Sequence, residues 1–128
     1  MKYSVSIDVP NLDEGLRFYR DAFGYNEAAR PVESYAIARC GESEIGLLEK
    51  APGSKPAMGS DDVRRYERHW TPVHVDFYVE DFDAVLGAAI SAGAKSEQKF
   101  DGGNHPPVAF CSDPFGNGFC IIGKKPGK

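Results

Sequence analysis

His74, Asp76 and Tyr78 occupy every second position of VHVDFYV, and Ser4, Ser6 and Asp8 do the same in YSVSIDV. Period-two spacing puts each trio on one face of a strand, with valine, isoleucine and an aromatic on the other. An imidazole titrates near pH 6.5, so His74 has the pKa for general-base work, but the sequence names no group to orient it. The plainer account is a hydrogen-bonding residue on a polar strand face. Cys111 and Cys120 flank the turn Asp113-Pro-Phe-Gly-Asn117 and are expected opposite one another on paired strands. Beside His74 they would grip a soft metal such as zinc or mercury; otherwise they are two small, half-buried residues without chemistry. Trp70, preceded by Tyr66 and His69, comes just before His74. It is expected at the rim of whatever concavity the trios line, as a wall over it or as a staple for the preceding segment. Asp8, Asp76 and Glu80 near the strand ends suit a cationic ligand.

Other chemistries lack residues. The chain has no Walker loop, GxGxxG, GxSxG or HExxH, so phosphate cradles, nucleophile elbows and helical zinc-protease sites have no support. Asn104, His105, Pro106 and Pro107 read as a loop held by prolines. Nineteen acids against fifteen bases give a net charge of -4, with bases scattered apart from Arg64, Arg65 and Arg68 and a lysine-rich tail. That balance argues against a nucleic-acid partner. No apolar run approaches the roughly 20 residues of a membrane helix, so no membrane partner is expected. The alternating start, MKYSVSIDV, is unlike a signal or transit peptide. Cys40, Cys111 and Cys120 are odd in number and form no CxxC, so free thiols in a reducing cytoplasm are expected.

The elements that carry these residues repeat. YSVSIDVPNLDEGLRFYRDAFG from Tyr3 aligns with VHVDFYVEDFDAVLGAAISAG from Val73. Each alternating strand runs into a capping residue, Asn11 (with Glu14 as a capping box) or Asp81. A helical stripe follows: Leu12, Leu16, Tyr19 and Phe23 in one copy, Phe82, Leu86, Ala89 and Ile90 in the other. Gly24 and Gly93 end the helices. Strands are then expected at 33–39 and 44–49, and again at 108–112 and 118–122 around the Asp-Pro-Phe-Gly-Asn turn. Residues 51–72, polar and broken by Pro and Gly, read as a linker with a short helix around Asp61–Arg68. One such half leaves a sheet face bare, so the halves should pack as one α+β domain: module 1 over about 1–50, module 2 over about 73–123.

In this order and spacing, Phe18-Tyr19…Phe23-Gly24, Glu80-Asp81-Phe82-Asp83, Ala92-Gly93-Ala94 and Asp113–Asn117 make the chain resemble the vicinal oxygen chelate superfamily. That group includes glyoxalase I, bleomycin-resistance proteins and extradiol dioxygenases. The resemblance spans about residues 3 to 123 and implies paired βαβββ modules with sheets curled around a cup, within a homodimer. It also implies a divalent metal in the family's enzymes, at positions that fall here on Ser4, Gly46, His74 and Cys120. Only His74 suits a hard ion, so neither the glyoxalase ligand pattern nor the dioxygenase triad is present.

The expected function is therefore metal-free binding of a small organic molecule, with no cofactor, by Ser4, Ser6, Asp8, Trp70, His74, Asp76, Tyr78 and Cys120. The alternative is a lyase, isomerase or dioxygenase of the glyoxalase type with a degenerate metal site. An empty-cupped structural dimer is the third reading.

Overall fold

A computed structural model describes residues 1–125, so Lys128 of the lysine-rich tail lies outside the described residues. The repeat of the sequence is a repeat of topology. Module 1 runs β1 (Ser6–Val9), α1 (Leu12–Phe23), β2 (Asn26–Val32), β3 (Tyr35–Cys40) and β4 (Ser43–Glu49). Module 2 runs β5 (Val75–Tyr78), α2 (Phe82–Ala92), β6 (Lys95–Phe100), β7 (Val108–Ser112) and β8 (Gly118–Ile122). The two four-stranded sheets have the same order, β1-β4-β3-β2 and β5-β8-β7-β6. In each, the first strand pairs in parallel with the last, and the others pair antiparallel. This is the expected α+β architecture of two βαβββ modules with open, curved sheets.

Both helices start and stop where their capping residues dictate. Asn11 accepts a 3.0 Å hydrogen bond from the Glu14 amide, and Asp81 accepts one of 3.1 Å from Ala84. Gly24, at φ 85, closes α1 in the left-handed region that a side chain disfavours. Leu12, Phe18, Tyr19 and Ala22 are buried on α1, and Phe82, Leu86 and Ala89 on α2. Ile90, expected on the buried stripe, faces solvent instead. α1 also reaches across to the second sheet, where Phe23 stacks on Phe77 with ring centroids 4.0 Å apart. Each aromatic buried in this way is worth about 1.5–3 kcal/mol. The two modules thus share one core.

The strands depart from expectation at several points. β1 and β5 are shorter than the alternation from Tyr3 and Val73, although the Val5 carbonyl still accepts a 2.8 Å bond from the Gly46 amide. β2 and β6 had no sequence signal: NEAARPV and KSEQKF are exposed throughout, as befits edge strands with no face to bury. Residues 61–68 form no helix. The Arg64 amide is bonded to the Ser54 carbonyl at 2.8 Å, and Gly53 returns a 2.7 Å bond to the Arg64 carbonyl. Those pairings need an extended crossing, which a helix would forbid.

The cysteine pairing is also corrected. Ser112 pairs with Gly118, which sets Cys111 opposite Phe119 and Cys120 opposite Phe110. Cys111 therefore lies on the helix-covered face and Cys120 on the other, because directly opposed residues share a face.

Candidate functional site

Alternation decides which side chains face the open side of each sheet. Val9, Ala36, Ala38, Ile45 and Leu47 go to the core in module 1, as do Phe77, Ala109, Cys111, Phe119 and Ile121 in module 2. The residues between them form two concave faces. In module 1 these are Ser4, Ser6, Asp8, Tyr35 and Gly46; in module 2 they are His74, Asp76, Tyr78, Phe110, Gly118 and Cys120.

In module 2 that face forms an open-sided pocket of about 290 Å³, where His74, Phe110 and Cys120 meet Arg68 and Trp70 from the linker. Trp70 is 80% exposed and stands at its rim, as expected. His74 Nε2 lies 3.1 Å from Asp76 Oδ1, so the sequence neighbour on the same face is the imidazole's partner. Asp76 is also the cross-strand neighbour of Cys120. Burial, reinforced by the Asp76 carboxylate, pushes the Cys120 thiol up to about 11. Burial pushes Cys111 up to about 11 as well. At neutral pH both are protonated, hence poor nucleophiles.

Arg68 is a pocket residue that sequence reasoning passed over as part of a short basic run. Its Nε and Nη2 hold Glu97 at 2.7 and 3.2 Å, and Nη1 donates to the His69 carbonyl at 2.7 Å. The Arg68 hydrogen bond holds the Glu97 carboxyl below the usual carboxylate range. The guanidinium lies against Gly118, where a Cβ would come within 2.8 Å of it. The one legible signal was that glycine in a strand, which marks the close approach of another group.

The expected trio of module 1 does not join this pocket. Asp8 is held by Arg64, Nε to Oδ2 at 2.8 Å. Ser6 sits beside Gly46, its cross-strand partner. Ser4, Asp76 and Tyr78 line a separate groove of about 820 Å³ between β5 and the segment that leads into β1. Of the expected ligand residues, Trp70, His74 and Cys120 share the module 2 pocket, Asp76 stands between pocket and groove, and Ser6 and Asp8 are elsewhere.

Beneath both faces lies a fully satisfied polar node. Asp113 accepts from the Tyr19 hydroxyl at 2.7 Å, from the Phe115 and Asn117 amides at 2.9 Å each, and from Asn117 Nδ2 at 2.9 Å. Asn117 Nδ2 also donates to the Asp8 carbonyl at 3.1 Å. The Asp-Pro-Phe-Gly-Asn turn thus fastens module 2 to α1 and β1. Burial raises the Asp113 carboxyl, and burial with the adjacent Asp113 raises the Tyr19 hydroxyl well above its usual range.

The divalent metal implied by the resemblance finds a poor donor set. Gly46 offers no side chain, and Ser4 offers a neutral hydroxyl. Among the described residues, one group of three ligating side chains converges, His74, Asp76 and Cys120, with donor atoms within 4.8 Å of one another. A hard ion prefers oxygen donors. Here it would meet a soft sulfur and an imidazole, with one carboxylate as the only oxygen donor. The residues do not fit a hard divalent metal.

Residues 4–122 match the glyoxalase-like domain family. Among solved structures, a genomically encoded fosfomycin resistance protein, FosX, from Listeria monocytogenes is similar with a TM-score of 0.72 at 13% identity, over 98% of this chain and 93% of its own. A glyoxalase/bleomycin resistance protein/dioxygenase family enzyme from Burkholderia phytofirmans gives 0.69 at 22% identity, over 94% and 95%. A lactoylglutathione lyase from Agrobacterium tumefaciens gives 0.65 at 17% identity, over 96% and 92%. At these identities the likeness carries the fold alone. None of the curated proteins compared matches the chain.

Proposed function

The chain belongs to the glyoxalase-like domain family, within the vicinal oxygen chelate superfamily, and we propose that it binds a small organic molecule in the module 2 pocket without a metal. The observation that carries this reading is the pocket of about 290 Å³ in which an exposed indole, a phenyl ring, an imidazole and a guanidinium meet. A few placed polar groups among aromatic walls are the usual make-up of a ligand site. Inside, the Arg68 guanidinium is neutralised by Glu97, and the remaining walls are aromatic rings, so the pocket favours a flat molecule. Asp8, already held by Arg64, drops out of any cationic-ligand scheme.

A homodimer belongs to the same proposal. Trp70, Val73 and Tyr78 are 80%, 79% and 78% exposed around the open side of module 2, an apolar surface that a second copy would cover. The free thiols suit a reducing cytoplasm. The second reading, a lyase, isomerase or dioxygenase with an altered metal site, draws on the His74, Asp76 and Cys120 convergence.

Trp70, the chain's one tryptophan, supplies the test. A library of aromatic, glycopeptide and α-keto compounds should contain members that perturb its fluorescence saturably, compete with one another, and bind more weakly to Asp76→Ala. A library that neither shifts the melting temperature nor perturbs Trp70 refutes the binding reading and leaves the structural dimer.

A further inference from the structure

The repeat gives both modules the same concave face, and in the first the chain itself covers part of it. At the position equivalent to Cys120, module 1 carries Gly46, and the Tyr35 ring lies over it, 2.9 Å from where a Cβ would stand. On the same sheet, the side chain of Arg64 reaches Asp8 and is 16% exposed. Its Nε bonds Asp8 at 2.8 Å, and its Nη1 reaches the Ser54 hydroxyl at 3.2 Å and the Lys55 carbonyl at 2.9 Å. Three partners on one guanidinium, one of them a carboxylate on the sheet, describe an occupied binding site.

From Arg64 the linker continues directly to the second pocket. The Tyr66 hydroxyl donates to the Lys50 carbonyl at 2.7 Å. The backbone of Glu67 lies so close to Gly116 that a Cβ there would stand 2.5 Å from the Glu67 carbonyl carbon. Arg68 then covers Gly118, and Trp70 reaches the pocket rim. Arg64, Tyr66, Glu67 and Arg68 are each held against one module or the other. Three residues separate Arg64 from Arg68, and the contacts of Tyr66 and Glu67 lie between them.

We infer that residues 51–72 form a strap latched by Arg64 on Asp8, and that the strap supplies and positions one wall of the module 2 pocket. Asp8 and Arg64 are positioning residues for ligand binding, and each chain has one ligand site, not two. The inference rests on the binding function proposed above for its second half only; the latch is a property of the free protein.

Two readouts test it separately. Hydrogen exchange of the Gly53 and Arg64 amides reports on the strap without any ligand. In Asp8→Asn and in Arg64→Met these amides should exchange about tenfold faster, the size expected for losing a charge-assisted, part-buried hydrogen bond. The double variant should be no faster than Arg64→Met alone, since Asp8 acts on the strap only through Arg64. The β3–β4 amides serve as the folding control and should keep their protection. Unchanged strap exchange, or additive effects in the double variant, overturns the latch. The second readout is binding of 8-anilinonaphthalene-1-sulfonate, followed through Trp70. Its dissociation constant should rise about tenfold in either single variant if the strap positions the pocket wall. A loosened strap with unchanged dye affinity overturns the positioning role. A wild-type protein that binds neither dye nor library compounds counts against the proposed function, and the exchange result still decides the latch.

Discussion

Replacing Tyr19 by Phe and Asp113 by Ala, singly and together, probes the joint between the modules. Tyr19→Phe removes the 2.7 Å bond to Asp113 Oδ2, but that oxygen keeps Asn117 Nδ2 at 2.9 Å. No buried group is left bare, so the loss is one charge-assisted bond, about 1.5–2 kcal/mol. Asp113→Ala removes the acceptor for four donors. The turn amides of Phe115 and Asn117 regain some water, whereas the Tyr19 hydroxyl, in a residue 1% exposed, does not. One orphaned hydroxyl plus the lost turn bonds amount to about 4 kcal/mol, a large share of the roughly 5–15 kcal/mol that holds a domain together. At about 4 °C per kcal/mol, the melting temperature should fall by about 7 °C and 16 °C respectively. In the double variant the phenyl ring leaves no orphan, so the second change should cost less than it does alone, with a coupling of about 1.5 kcal/mol. Calorimetry or urea unfolding of the four proteins reads this out. Strict additivity, or a Tyr19→Phe as damaging as Asp113→Ala, would refute the account. The pH dependence adds a signed check. Burial raises Asp113 above its unfolded value. The share of stability linked to this raised pKa is therefore whole below about pH 4 and is lost as pH rises through the folded value. Relative to Asp113→Asn, the wild type should lose stability across that range.

Gly116 and Gly118 should respond differently to alanine. At Gly116, φ is +92 and a Cβ would strike Glu67 backbone, so thermal melts should show a loss of about 3 kcal/mol. At Gly118 the clash is with the tip of Arg68, which can swing aside; stability should change by under about 1 kcal/mol while the Arg68–Glu97 pair is lost and ligand affinity falls. Elemental analysis of protein purified without chelator should find well under one equivalent of Ni, Mg, Mn or Fe; a full equivalent lost on His74→Ala would overturn the metal-free reading. Light scattering should give about twice 14.0 kDa, and a monomer at tens of micromolar would count against the dimer.

The repeat was legible because both copies bury one face of a strand and one stripe of a helix, and burial is what hydrophobic periodicity records. β2 and β6 were silent for the same reason, having no face to bury. Ile90 misled because an apolar residue can sit at a helical spacing and still look outward. The cysteine pairing turned on one residue of register: a bond from the Asp113 amide to the Asn117 carbonyl, 2.8 Å long, fixes Ser112 opposite Gly118 and sends the two thiols to opposite faces. At the pocket, His74 was placed by strand alternation, Trp70 by its nearness to His74 in sequence, and Cys120 by the family resemblance. Arg64, Arg68 and Glu97 were not, since ion pairs 29 and 56 residues apart leave no local pattern.

The glycines under the strap also set an order in time. Each module closes only when its last strand lies beside its first, as Ser6 meets Gly46 and Asp76 meets Cys120. Residues 64–70 are made well before Gly116 and Gly118, the surface on which Glu67 and Arg68 rest. On the ribosome, module 1 can close and take up Arg64 and Tyr66 while the strap beyond them still has nothing beneath it. The pocket wall is synthesised halfway along the chain and is among the last parts to settle, once the final strand has emerged.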